Sequence, residues 1–246
     1  GGYSQAIWSP KGKLLGHVGI GNRKDIRNAV EAAHAAKGWG KATGHNKAQI
    51  LYYIGENLSA RAAEFAARIK DLTGKPGEAE VDAAINRLFT YAAWADKYDG
   101  QVKQVPMRAV AIAMNEPVGV IGALCPNEAP LLGLISVMAP AIAMGNTCVL
   151  IPSETAPLSA TDFYQVLDTS DLPAGVVNIV TGAHKDLAKP LAGHMDVQQH
   201  HERVAFELLH RRQRGRQFAR GRRVAAERTA AHLGQFQAQV VRDAQA

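Results

Sequence analysis

The spacing of apolar residues changes period several times along this chain, and each change predicts a change of element. Residues 3 to 19 alternate around Pro10-Lys11-Gly12, which predicts a short hairpin with Leu14, Leu15 and Val18 as its buried positions. Asn22 with Asp25 three residues later forms a helix-start signature, and Val30, Ala33 and Ala36 supply one apolar face as far as Lys37. From His45 to Leu72 the residues Leu51, Ile54, Leu58, Ala62, Phe65 and Ile69 recur at helical spacing, so a single long helix is expected until Gly74 and Pro76 stop it. A further helix is expected from about Gly77 to Tyr98, burying Val81, Ile85, Leu88, Phe89 and Ala92.

Period two then takes over. Between Arg108 and Met114 the larger residues Val110, Ile112 and Met114 alternate with alanines, giving a narrow two-faced strand. Such a strand is either an arm that pairs with another subunit or an ordinary hairpin packed on its own domain, and the pattern alone leaves both open.

Beyond Glu116 the apolar runs become continuous. Residues Ala129 to Ser153 carry no charge and are numerous enough to cross a bilayer as one helix. Pro140 and Gly145-Asn146 interrupt that run, and Thr147 to Ile151 is rich in strand formers, so it reads instead as strand (Val118 to Leu124), buried helix (Pro130 to Met144) and strand (Thr147 to Ile151). Continuous apolar strands are those of a parallel sheet covered on both faces. A helix from Leu158 to Leu167, a strand from Val176 to Val180 and a helix from Asp186 to Gly193 extend the alternation. The fold class is therefore α/β, a Rossmann-like doubly wound parallel sheet preceded by amino-terminal helices.

Composition refines this picture at one place. The 246 residues are 47% hydrophobic and 20% charged, as in a globular protein without a membrane anchor, and no secretory leader is visible. Residues 1 to 197 hold 18 basic and 18 acidic side chains, whereas 198 to 246 hold 10 against 4, so the net +6 belongs wholly to the tail. Lysine disappears there and arginine accounts for all 10 cations, while all 11 prolines lie earlier. The domain division expected is thus 1–197 and an Arg-rich tail 198–246, either disordered or translated out of frame. A basic helix contacting nucleic acid is the less favoured reading, because the arginines define no single face. Cys125 and Cys148, both within apolar strands, read as inert core thiols of a reducing, cytoplasmic compartment, and no residues are spaced as metal ligands.

In an open parallel sheet, ligands bind outside the carboxyl ends of the strands. Those ends are Cys125-Pro126-Asn127-Glu128, Pro152-Ser153-Glu154 and Thr181-Gly182-Ala183-His184, which are expected to line one crevice. Glu154 is placed to accept hydrogen bonds from a ribose, and the helix start at Pro130 to face a phosphate. As alternatives, Glu154 and Asp186 are plain helix caps, and His184 a solvated loop residue.

The motifs EPVGVIG (Glu116 to Gly122), PNEAP (Pro126 to Pro130), APAIAMGNTCVLIPSETAPLSA (Ala139 to Ala160) and LPAGVVNIVTG (Leu172 to Gly182) resemble the amino-terminal, cofactor-binding half of the aldehyde dehydrogenase superfamily. LTGKP (Leu72 to Pro76) and YAAWADK (Tyr91 to Lys97) fit in the same order, so the resemblance spans residues 3 to 197. It implies NAD or NADP as cofactor, an aldehyde as substrate, oxidation to a carboxylic acid, and an arm at about 101–116 whose residues 108–116 pair subunits into a homo-oligomer. It implies cofactor contacts from Cys125, Pro126, Asn127, Ile151, Ser153, Glu154 and Gly182, with Asn127 and Glu128 at the oxyanion motif. There the family usually has Trp-Asn, and a lysine stands where this chain has Ile151. The resemblance ends near Val197; the family's next strand, its Gly-Ser turn, general base and nucleophilic cysteine find no counterpart. The expected role is that of a truncated aldehyde dehydrogenase inactive alone, the alternative being a non-catalytic scaffold or regulatory module retaining fold and arm.

Overall fold

Three parallel strands, β5 (Val120–Leu124), β6 (Thr147–Ile151) and β7 (Val177–Ile179), form the sheet that the continuous apolar runs predict, and a fourth, β8 (Val197–His201), joins it in the order β7-β6-β5-β8. In this computed structural model, residues 2–98 and 100–201 are described; the Arg-rich segment from residue 202 onward lies outside them, as do the side chains of 198–201. β8 pairs with β5 in parallel, so the sheet continues across the change of composition at Val197, and the fourth strand missing from the sequence reading is present.

Helix α5 (Pro130–Ala143) connects β5 to β6, α6 (Leu158–Asp168) connects β6 to β7, and α7 (His184–Ala192) connects β7 to β8. The first two connections step outward from β5 and the third steps back across it, so the chain reverses direction between β5 and β8. With right-handed crossovers, α5 and α6 cover one face and α7 the other, and α1 (Arg23–Ala35) shares the face of α7. That reversal is the topological switch point where an open sheet of this kind presents its crevice.

α5 is apolar on all sides because it lies between the sheet and a second helical layer; Leu131, Leu134, Ile135, Met138 and Ile142 are fully buried. Gly145, at φ +81°, ends it in the left-handed conformation that a side chain would strain. Asn146 then braces the turn: its Oδ1 accepts from the Gly119 N–H (3.1 Å) and its Nδ2 donates to the Ala141 carbonyl (3.2 Å). The buried Trp39 indole donates to the Ile142 carbonyl (2.8 Å), fixing the same helix end to the turn that follows α1.

The amino-terminal elements follow their patterns with two corrections. The hairpin β1 (Ser4–Trp8) and β2 (Leu14–Gly19) forms, but Leu14 is exposed, and Ile7, Val18 and, partly, Leu15 face inward. Asn22 and Asp25 form a complete capping box on α1. The single helix expected from His45 to Leu72 is instead two, α2 (Gly44–Ala60) and α3 (Ala62–Thr73), with Arg61 between them at φ −106°, ψ 14°. The break lets α2 lie along α4 (Glu78–Ala95) while α3 turns Phe65 onto Phe163 of α6, edge to face at 6.4 Å between centroids. The Arg61 guanidinium, 5.3 Å over the Phe65 ring and paired with Glu64, holds the corner. Helical periodicity survives such a one-residue corner, which is why the pattern does not betray it.

The alternating segment forms the two-stranded antiparallel ribbon of β3 (Gln101–Lys103) and β4 (Ala111–Ala113), shorter than the 108–114 span expected. Val102, Val110, Ile112 and Met114 all stand 65–75% exposed. The ribbon is therefore not packed on its own domain.

Candidate functional site at the strand ends

The loop after β5 and the loop after β6 are tied together by one side chain. Asn127 Oδ1 accepts from Ser153 Oγ (2.9 Å) and from the Glu154 backbone N–H (2.9 Å). Ser153 is buried, and its hydroxyl oxygen also accepts from the Ala156 N–H (3.2 Å), so the turn leading into α6 is hydrogen-bonded to the β5 loop rather than merely beside it. The N–H of Cys125 donates to the Ile151 carbonyl (2.8 Å), extending the ladder between β5 and β6 by one step. Cys125, Pro126, Asn127, Ser153 and Glu154 are thus brought into one constellation, as the sequence predicts.

The third strand end joins it through Glu154. Its Oε1 accepts the His184 backbone N–H at 2.5 Å, the first N–H of α7, where a carboxylate is favoured by both the unpaired donor and the helix dipole. The cap expected as an alternative role for Glu154 is real. His184 is not a solvated loop residue: it is buried, and its Nε2 lies 2.7 Å from the Pro152 carbonyl. A carbonyl only accepts, so Nε2 carries the proton, and the imidazole locks the β6 loop to α7. Nothing in the sequence pattern marks this buried role, because both partners are separated from it by about thirty residues and the contact is to backbone.

Gly182 sits at φ +151°, a conformation that strains a residue with a side chain, and a Cβ there would also crowd Leu187 Cδ1 of α7 at 2.8 Å. Ile151 is fully buried, so its side chain points into the core and reaches no ligand. Glu128 is exposed, between the half-buried Asn127 and Ala129.

The start of α5 does not offer itself to a phosphate. Pro130 occupies the first helical position and has no N–H, and the next two N–H groups, of Leu131 and Leu132, both donate to Glu80 Oε1, at 2.9 and 3.1 Å. A carboxylate from α4 already fills the place where an anion would bind.

Cys125 and Cys148 are both free and buried. Burial pushes the Cys125 thiol up to about 12 and the Cys148 thiol still higher, with neighbouring Cys125 a smaller contribution to the latter. Neither is a thiolate nucleophile at neutral pH. Among the described residues no group of three or more His, Cys, Asp or Glu side chains is placed to hold a metal, and no helix is long and apolar enough to cross a membrane.

The residues present fit the ribose end of a dinucleotide better than its phosphates. A carboxylate has acceptor capacity for about four hydrogen bonds, so the one from His184 leaves Glu154 able to bind a diol. For the pyrophosphate the described strand ends supply no Gly-rich turn, and α5 is closed by Glu80.

Comparison with known proteins agrees with this geometry. The aldehyde dehydrogenase family model matches residues 4–201. The chain is 33% identical to an aldehyde dehydrogenase of Agaricus bisporus, over 79% of this chain and 40% of that one. It is likewise 33% identical to the mitochondrial aldehyde dehydrogenase of Sus scrofa, over 79% of this chain and 38% of that one. Among solved structures, betaine aldehyde dehydrogenase of Staphylococcus aureus in complex with NAD+ superposes with a TM-score of 0.78 at 26% identity, covering 80% of this chain and 41% of that one. The chain spans about two-fifths of the length of the curated relatives it matches. In its family match and in the parallel sheet with its strand-end crevice, this chain belongs to the aldehyde dehydrogenase family.

Proposed function

We propose that this chain is the cofactor-binding part of an NAD(P)-dependent aldehyde dehydrogenase, an oxidoreductase that converts an aldehyde to a carboxylic acid. The observation that carries the reading is the placement of Glu154: a carboxylate at the carboxyl end of β6, held in one orientation by the first N–H of α7 and flanked by Asn127 and Ser153. Vicinal ribose hydroxyls are its natural ligand, with Cys125, Pro126 and Gly182 shaping the backbone around it. The nicotinamide, when bound, supplies the hydride acceptor. With the buried Ile151 where the family usually has a lysine, that cation is not there to compensate a 2′-phosphate against the carboxylate, which favours NAD over NADP.

By resemblance, Asn127 and Glu128 occupy the positions of the family's oxyanion motif. Asn127 Oδ1 is committed to the β6 loop, which fixes its amide and leaves Nδ2 as the donor it could turn to an oxyanion, whereas the Glu128 carboxylate is an acceptor group. The buried cysteines offer no thiolate, so the chain alone is expected to bind cofactor without turning over aldehyde.

The exposed ribbon β3-β4 supports assembly into a homo-oligomer through residues 108–116, since four apolar side chains open to water on a two-stranded arm are best buried against another subunit. The two reduced cysteines support a reducing compartment such as the cytoplasm.

Calorimetric titration with NAD+ and NADP+ tests the reading. Saturable NAD+ binding, weakened about tenfold by Glu154→Gln as one charge-assisted hydrogen-bonding site is lost, is expected. Absence of saturation by either dinucleotide, together with stable oligomers, would instead identify a scaffold.

A further inference from the structure

Between the first turns of α1 and the end of α7 lies a cleft of about 330 Å³ that shares no residue with the strand-end crevice. Arg23, Lys24 and Arg27 line it from α1, Ile26 and Pro190 are its apolar components, and His194 faces it from beyond α7. No carboxylate lines it. Residues 1 to 197 balance 18 cations with 18 anions, so three cations around one cleft are a local concentration rather than a reflection of a basic protein.

The nearby acids do not neutralise it. Asp25 is turned back to cap its own helix, accepting from the Asn22 N–H at 2.9 Å. Glu31 approaches Arg27 at 3.5 Å, but both side chains are more than half exposed, and such a pair yields readily to a stronger anion. His194 has Asp196 at 3.8 Å, and Asp196 likewise faces water. Like charges held in a concave site raise the local potential and concentrate counter-ions there. Two guanidinium groups one turn apart present planar donor forks that match the oxygens of a phosphate, and Lys24 adds a point charge beside them.

We propose that this cleft binds a small soluble phosphate compound, a pyrophosphate or phosphate ester, at a site separate from the strand-end crevice. A concave cleft of this size admits such a group where a flat membrane surface does not enter.

The test is a calorimetric titration of the full chain with inorganic pyrophosphate at low ionic strength. Saturable binding that weakens as salt is added is expected. The double variant Arg23→Ala/Arg27→Ala should lose about 100-fold in affinity, about tenfold for each charge-assisted bond removed, whereas Lys11→Ala/Lys13→Ala on the hairpin turn should bind as the parent does. All four side chains are exposed, so an unchanged thermal melt verifies folding. Pyrophosphate binding that is absent, or that persists undiminished in the arginine double variant, overturns the proposal. So does arginine-dependent capture by vesicles containing an anionic phospholipid when pyrophosphate itself does not bind.

Discussion

Truncating Glu80 should loosen the fold and the candidate site together. One carboxylate oxygen of Glu80 accepts the first two N–H groups that α5 has to offer, at 2.9 and 3.1 Å, from a residue 51 and 52 positions earlier in the chain. Hydrogen bonds to a charged group contribute about 1.5–3 kcal/mol each net, but Glu80 is only half-buried and water can re-solvate part of what is lost. Loss of a helix N-cap costs about 0.5–2 kcal/mol, so Glu80→Ala is expected to cost about 2 kcal/mol. Glu80→Gln keeps an oxygen acceptor and loses only the charge facing the helix dipole, about 0.3–1 kcal/mol. For a protein of this size the alanine variant should melt about 4–8 °C lower. Urea unfolding of the three proteins, compared at unchanged m-value, gives the energies directly. An alanine variant within about 0.5 kcal/mol of the parent, the range of an uninvolved surface change, would refute the cap. Equal losses from Ala and Gln would show that the charge of Glu80, and not the packing of its side chain or the acceptor oxygen alone, is what matters.

Other expectations concern the core, the thiols and the arm. Leu134→Ala, at a fully buried position of α5, should cost about 2–5 kcal/mol in the same unfolding assay. The Cys125 thiol is raised in the folded state from an ordinary 9.0 to about 12, so its contribution to stability is full below pH 9 and is lost as pH rises from 9 toward 12. Unfolding measured across that window should fall less steeply with pH for Cys125→Ala than for the parent, and thiol reagents at pH 8 should label neither cysteine until the chain unfolds. Ile112→Asp places a charge on the exposed ribbon; sedimentation should show smaller assemblies at an unchanged melting temperature, and an unaltered distribution would remove the arm from the interface.

What could be read from the sequence and what could not differ in the range of the interactions involved. Strands β5 and β6 declare themselves because burial on both faces forces continuous apolar runs, and Asn22 with Asp25 declares the start of α1 because cap and capped groups are three residues apart. The corner at Arg61 is silent, since the same apolar spacing serves one helix or two. The hydrogen bonds of Glu80, Asn127 and His184 are equally silent: each is made to a distant backbone group, and only the folded chain brings the partners together. Glu154 lies between these cases. Its place at a strand end follows from the order of elements, while its bond to α7 does not.

Amide spectra of the isotopically labelled chain, recorded as NAD+ is added, test the proposed site most directly. Shifts confined to residues 125–128, 152–156 and 182–184, saturating and abolished by Glu154→Ala in a protein that retains its sheet, are expected. Saturating shifts centred elsewhere, for example on Gly19 to Gly21 and Val177 to Ile179 beside the outer edge of β7, would contradict a strand-end cofactor site.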